Sequence, residues 1–335
     1  MNCTNPLKVF FKLDSAGKKQ LTFYNPNTFK LPFDSYPVEN RLEIPCGQCI
    51  ACRLNYSRNW AIRCMLEAST SKDCYFITLT YGDNISDTAR SNFCIDENTG
   101  DILDSFVSHT LVKRHLQLFI KRLRKYFSDH YNHDGIRFFA CGEYGPSNMR
   151  PHYHLIVFNC PIPDLEFHHN NFRGDIFYSS KIIDDLWGYG FTTIGDCNYE
   201  TCSYTARYIM KKQKGKGSKI YNELGIIPPF VVMSRRPGLA REWFDSHSED
   251  IYSFDQLVLS RRDGKPIKAR PPAYFDKLYD IDHHDELEEI KTKRRNHAMY
   301  AMDSVLAHTD LNKDEYLRVC DDIYISKSNK LVRTL

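Results

Sequence analysis

Apolar positions recur along the chain with two different periods. The run Cys74-Tyr75-Phe76-Ile77-Thr78-Leu79-Thr80-Tyr81 is rich in β-branched and aromatic residues and is closed by Gly82-Asp83-Asn84, which predicts a strand. Residues 136–143, 151–158 and 191–195 predict three more. Pro151 suits the first position of its strand, where no ladder donor is lost. Helical spacing takes over elsewhere. Val112, Leu116, Phe119, Ile120 and Leu123 place an amphipathic helix over 108–127. Further helices are expected over 52–68, from near Ser179 to Gly188, over 200–212 and over 282–308. The last has acidic first turns and basic later ones, an order that complements the helix dipole. Residues 83–107 read as an irregular insertion and 265–272 as a basic, Pro-rich loop.

Polar exceptions inside this pattern carry the chemistry. Alternate residues of a strand share a face, so His152 and His154 point the same way. The turn through Gly145-Pro146-Ser147-Asn148 is short, so the histidine strand returns antiparallel beside 136–143, with Glu143 close to both imidazoles. Two imidazoles and a carboxylate with open positions suit Mg²⁺ or Mn²⁺ bound together with a substrate phosphate. The plainer alternatives are two chance histidines on an exposed strand and a turn-stabilising Glu143. In the 200–212 helix, Cys202, Ala206, Ile209 and Met210 fall on one side, while Tyr204, Tyr208 and Lys211 fall on the other. Core tyrosines would share the apolar stripe, and these two do not. Lys211 lies three residues after Tyr208, where it can stabilise a phenolate. Residues 201–222 contain no Asp or Glu but carry Arg207, Lys211, Lys212, Lys214, Lys216 and Lys219, a natural phosphate contact. The Gly215–Lys219 segment lacks P-loop spacing. Arg235 and Arg236 form a second basic turn.

Composition narrows the setting. A net charge of +3 over 335 residues does not announce a nucleic-acid binder, but the basic residues are clustered and local patches matter more than the sum. Twelve cysteines without an N-terminal apolar run argue for a reducing compartment. No stretch approaches the length of a membrane span. Cys46, Cys49 and Cys52 form a C-x-x-C-x-x-C array, with Cys3 and Cys64 as candidate fourth partners. Structural Zn²⁺, an iron–sulfur cluster and free thiols all remain open. The expected organisation is a Cys-containing module over 1–68, a catalytic domain over 69–222 and an extension over 223–335 with no assigned role.

Three motifs in order, Phe76-Ile77-Thr78-Leu79-Thr80, Arg150-Pro151-His152-Tyr153-His154 and Tyr204-x-x-x-Tyr208-x-x-Lys211, resemble the two-tyrosine branch of the HUH endonuclease superfamily of rolling-circle replication initiators. The closer likeness is to the initiators of the gokushovirus group of the Microviridae. Cys3, the Cys46–Cys52 array and Ser234–Gly238 also look like that group, and the likeness covers residues 1–245. It implies an α+β fold: a central, mainly antiparallel five-stranded sheet flanked by helices, with the histidine strand near the centre and the tyrosine helix over its metal face. It implies Tyr204, Tyr208 and Lys211 as catalytic residues and His152, His154 and Glu143 as ligands of Mg²⁺ or Mn²⁺, the third ligand varying within the superfamily. Cys3, Cys46, Cys49 and Cys52 become candidate structural-zinc ligands, and Arg207, Lys212, Lys214, Arg235 and Arg236 candidate DNA contacts. The implied partners are single-stranded and supercoiled origin DNA, a host helicase and host replication proteins in the bacterial cytoplasm, with no membrane involved. The rival expectations are a transposase or relaxase of the same superfamily, a non-catalytic single-strand binder, and a hydrolase of small phosphoesters.

Overall fold

Strand β8, which carries the histidine pair, lies in the interior of a seven-stranded antiparallel sheet. The structure is a computed structural model. It describes residues 3–15, 19–37, 40–83, 88–95, 102–145, 149–171, 174–211, 219–260 and 264–330, without the side chains of 19, 34, 90–95, 102–106, 208–211, 219, 260, 329 and 330. In chain order the strands are β1 (Leu7–Leu13), β2 (Lys19–Phe23), β3 (Arg41–Ile44), β4 (Cys74–Tyr81), β5 (Ala89–Ile95), β6 (Ile102–His109), β7 (Arg137–Tyr144), β8 (Pro151–Phe158), β9 (Glu166–Asn170), β10 (Ile176–Ser179), β11 (Gly190–Asp196), β12 (Phe230–Met233), β13 (Leu257–Ser260) and β14 (Pro266–Ala269). The helices are α1 (Ile50–Ser69), α2 (Lys113–Tyr131), α3 (Lys181–Trp187), α4 (Tyr199–Lys211), α5 (Lys219–Glu223), α6 (Arg241–Phe254), α7 (Ala273–Tyr279), α8 (His284–Leu306) and α9 (Lys313–Lys330). The chain forms two compact units, residues 57–288 and residues 1–56 with 289–335. No helix among the described residues is long and apolar enough to cross a membrane.

In the larger unit the sheet order is β12-β7-β8-β4-β11-β10-β9. Each neighbouring pair is antiparallel. The sheet therefore exceeds the expected five strands. β12 is a four-residue apolar run, too short to show a period, and it takes up the free edge of β7 with Met233 opposite Phe139. β9 is exposed throughout and is held as a strand by β10. The insertion expected over 83–107 contains a hairpin, β5 paired with β6, whose Ser, Asn and Asp residues hide the alternation in the sequence; residues 96–101 lie outside the described residues. The loop expected over 265–272 contains β14, paired with β13.

One face of the sheet makes the core. Ile77, Leu79 and Tyr81 of β4, Tyr153, Leu155 and Val157 of β8, Ala140 of β7 and Ile194 of β11 pack with Leu116, Phe119, Ile120, Leu123 and Phe127 of α2 and with Ile183 and Trp187 of α3. α2 starts five residues later than its spacing suggested, because buried tyrosines bind the preceding backbone. Leu111 N–H donates to the Tyr144 hydroxyl at 3.1 Å and Val112 N–H to the Tyr153 hydroxyl at 2.8 Å. α3 has the expected punctuation: the Ser180 hydroxyl accepts from Ile183 N–H, and Gly188 at φ +67° closes the helix.

The opposite face of the sheet is covered by α4, which lies over β7, β8 and β12, and by α1, whose Trp60 ring meets Phe139 at 5.2 Å. The unit thus extends past both ends of the expected 69–222 segment. Glu67 of α1 binds Arg137 of β7 and the Ala240 N–H, and the guanidinium of Arg63 donates to Leu239 O. Gly190 is the tightest backbone approach next to this face: a Cβ there would overlap the Thr80 carbonyl and the Gly82 nitrogen. Gly190→Ala should therefore part β11 from β4 and cost about 1–3 kcal/mol or more, read by denaturant unfolding.

The smaller unit holds the sheet β2-β1-β3, over which Phe10 clusters with Tyr24, Phe29, Phe33 and Tyr36. α9 is tied to this unit by Lys313 to Glu43 and by the Thr4 hydroxyl to Asp321.

Candidate metal centre and the tyrosine helix

Register brings the polar exceptions together. Glu143 stands opposite His152 and Cys141 opposite His154 on β7–β8, while Thr78 stands opposite His154 on β4–β8. Directly opposed residues share a face, so the pleat points Glu143, His152, His154 and Thr78 to the side covered by α4. The return from β7 to β8 is held by Gly145 N–H to Arg150 O at 2.9 Å. Arg150 in turn binds the Tyr81 carbonyl and the Asp83 carboxylate, which fixes the start of β8.

Both imidazoles aim Nε2 at the same carboxylate oxygen. Glu143 Oε1 is 2.8 Å from His152 Nε2 and 3.2 Å from His154 Nε2. The ring centroids are 4.8 Å apart and nearly perpendicular. Their other nitrogens are also engaged. His152 Nδ1 lies 3.1 Å from Arg150 O, and His154 Nδ1 lies 3.0 Å from the Thr78 hydroxyl. A carbonyl can only accept, so it holds the proton of His152 on Nδ1 and leaves the Nε2 lone pair for a cation. Glu143 is 3% exposed and His154 5%. Burial opposes ionisation of Glu143, but hydrogen bonds from the two histidines and their charge outweigh it and hold the carboxyl well below the usual carboxylate range.

The tyrosine helix reaches this cluster. Tyr204 sets its ring edge-on to His154, with centroids 5.2 Å apart, and edge-on to Phe76 at 6.0 Å. Phe76 stacks on the far side of the His154 ring at 5.5 Å. Arg207 extends over the Tyr204 ring, 5.9 Å from its centroid. Cys202 and Ala206, the other side of the helix, are fully buried. The side chains of Tyr208 and Lys211, together with Lys212 and Lys214, lie outside the described residues; the backbone of α4 runs through Lys211.

Arg235 and Arg236 are exposed on the turn after β12. That turn is braced from below by Phe138 N–H to Ser234 Oγ and Arg137 to Pro237 O. It leaves the sheet beside Phe139, four residues from Glu143, so it stands about 13 Å along the strand from the histidine cluster. The structure thus gathers Glu143, His152, His154, Tyr204 and Arg207, and sets the arginine pair apart. Thr78 and Phe76 are the residues to which the sequence assigned no role. Their signal was available: Phe76 and Thr78 are alternate residues of β4, on the face that the histidines share.

Among the described residues, two groups of His, Cys, Asp or Glu converge closely enough to hold an ion: Glu143 with His152 and His154, and Cys3 with Cys46, Cys49 and Cys52. Cys64 is fully buried in the larger unit, its thiol turned to Cys202.

Residues 74–213, from the first residue of β4 to just past α4, match the family model for Replication-associated protein ORF2. The chain is 35% identical over 302 residues to Replication-associated protein ORF2 of Spiroplasma virus 4, covering 88% of this chain and 86% of the relative. It is 27% identical over 299 residues to Replication-associated protein VP4 of Bdellovibrio phage phiMH2K, covering 88% and 82%. Replication-associated protein ORF4 of Chlamydia phage 1 is 29% identical over 199 residues, covering 58% of this chain and 44% of the relative. No solved structure matches.

Proposed function

The chain belongs to the family of phage replication-associated proteins, and from that membership we propose that it initiates rolling-circle replication by nicking and rejoining origin DNA through a tyrosine. One observation carries the reading: a tyrosine from a polar helix flank packs against a histidine of a buried His–His–Glu cluster. Neither a single-strand binder nor a hydrolase of small phosphoesters needs that pairing.

The donor set fits a hard divalent cation. Two Nε2 atoms and an ionised carboxylate oxygen converge, and each ring's Nδ1 faces a separate hydrogen-bond partner. His152, His154 and Glu143 would hold Mg²⁺ or Mn²⁺. When bound, the ion polarises a phosphate oxygen and offsets charge in the transition state.

The remaining chemistry belongs to the chain. A tyrosine oxygen attacks the scissile phosphorus; the bond from phosphorus to the 3′ oxygen breaks, and that oxygen leaves as a 3′-hydroxyl with a proton taken from solvent. The product is a 5′-phosphotyrosine. An unperturbed tyrosine has a pKa of about 10, so its proton must be lost with help. Lys211, one turn from Tyr208, supplies a positive charge for the phenolate. Arg207, over the Tyr204 ring, and Lys212 and Lys214 contact the DNA backbone. Rejoining reverses the step: a 3′-hydroxyl attacks the phosphotyrosine and releases the phenol, so no nucleotide is consumed. Tyrosines four apart on a helix have Cβ atoms about 6 Å apart, close enough to serve one phosphate in turn. One holds the 5′ end while the other cuts the regenerated origin. Single-stranded and supercoiled origin DNA in the host cytoplasm are the substrates, with strand separation by a host helicase.

The test is incubation with single-stranded oligonucleotides tiling the genome that encodes the chain, with Mn²⁺ or with chelator. Expected is cleavage at one site and an adduct that survives denaturing gel electrophoresis, both only with the cation. DNA bound but never cut would leave the binder reading; cleavage without an adduct would leave the hydrolase.

Thr78 offers a finer test. Thr78→Val keeps the shape but removes the partner of His154 Nδ1. Mn²⁺ affinity, followed by electron paramagnetic resonance, should fall about 10–100-fold while the fold persists.

A further inference from the structure

The four sulfurs of Cys3, Cys46, Cys49 and Cys52 lie within 4.8 Å of one another, although Cys3 is 43 residues from the nearest of the others in sequence. Cys3 Sγ is 3.6 Å from Cys46 Sγ and 3.7 Å from Cys49 Sγ. A disulfide would bring a pair to about 2.05 Å, so these are not bonded pairs. The separations match a different geometry. With Zn–S bonds of about 2.3 Å, the thiolates of a tetrahedral site stand about 3.8 Å apart. An iron–sulfur cluster places several irons and inorganic sulfides between its cysteines and spreads them wider than a single ion does.

The backbone supplies an independent observation. Cys46 N–H donates to Cys3 Sγ at 3.4 Å. Gln48 N–H and Cys49 N–H donate to Cys46 Sγ at 3.4 and 3.2 Å, and Cys52 N–H donates to Cys49 Sγ at 3.4 Å. Gly47, at φ +70° with open space around its Cα, makes the turn that aims these amides. A neutral thiol is a weak acceptor, whereas a thiolate gains from each such donor. Four thiolates this close repel strongly unless a cation sits among them.

We infer that Cys3, Cys46, Cys49 and Cys52 hold one structural Zn²⁺, with Cys3 rather than Cys64 as the fourth ligand. Binding sends the thiol protons to solvent and leaves a doubly negative ZnS₄ unit, partly offset by the amide donors. All four positions are protein sulfurs, so the site is closed and does no chemistry. It pins residue 3 to the first turn of α1. The next residue, Thr4, binds Asp321 of α9, so the ion also steadies the point to which α9 is tied. The inference does not depend on the nicking reaction.

The full chain, expressed with zinc in the medium and purified without chelator, is assayed for zinc, iron and acid-labile sulfide. About one zinc per chain is expected, with neither iron nor sulfide. Cys3→Ser and Cys46→Ser should each lower zinc at least about fivefold, whereas Cys320→Ser should retain it. Cobalt(II) loaded in place of zinc should give the visible bands of a tetrahedral tetrathiolate, lost in Cys3→Ser. A wild-type chain without zinc after loading, iron with sulfide in its place, or full zinc in Cys3→Ser would overturn the assignment.

Discussion

Tyr204→Phe combined with Tyr208→Phe is expected to abolish covalent attachment to DNA while leaving DNA affinity within about twofold. The substitution removes two hydroxyl groups and little else. The Tyr204 ring contributes through its contacts with His154 and Phe76, and phenylalanine keeps both. Loss of the nucleophile itself costs on the order of 10⁶-fold in well-studied group transfers, so no adduct should be detectable on a denaturing gel. The single variants should separate the two roles. Each retains one nucleophile and should still cut, but neither should convert a nicked origin into a closed single-stranded circle. A single variant that circularises DNA as well as the wild type would show that one tyrosine serves both steps.

His154→Ala should be nearly as severe, for a different reason. His154 contributes one of three converging donors, and the loss of several kcal/mol of charge stabilisation at the phosphate corresponds to about 10³-fold in single-turnover cleavage. The same change opens a cavity beside Phe76 and Tyr204, because His154 is buried between them. It therefore also lowers stability. His154→Gln fills most of that volume and separates the effects: unfolding should return toward wild type while cleavage stays low. Equal recovery of both would make the histidine a packing residue.

Much of this site was legible because it breaks a strong pattern. β4 and β8 are apolar runs with sharp ends, and a polar residue in such a run has few reasons to be there. His152, His154 and Thr78 are such residues. The short turn at 145–148 then made an antiparallel return the simplest geometry, which placed Glu143. α4 was legible because Cys202 and Ala206 define a stripe that excludes Tyr204, and both are buried as that stripe requires.

Tertiary pairing hid the rest. β12 is four residues long, and β9 is fully exposed, so neither has an apolar period of its own; each becomes a strand only because a neighbour offers a ladder. The start of α2 was misplaced because Leu111 and Val112 fit the helical stripe, while the Tyr144 and Tyr153 hydroxyls claim their amides. Cys3 could not be told from Cys64 as a fourth thiol by spacing, since the chain between Cys3 and the array carries no information about where it returns. The placement of Arg235 and Arg236 away from the histidine cluster follows from the β12–β7 register, which the sequence does not print.

The central claim is that a tyrosine of α4 becomes bonded to DNA. Trypsin provides a direct reading of it, because cleavage after Lys181, Arg207 and Lys211 puts Tyr204 and Tyr208 in separate peptides, 182–207 and 208–211. The adduct formed with Mn²⁺ is trimmed with nuclease, digested and mapped by mass spectrometry. The account predicts a 5′-linked nucleotide on peptide 182–207, on peptide 208–211, or divided between them. Cleaved DNA accompanied by unmodified forms of both peptides, or by a nucleotide on any other residue, would contradict it.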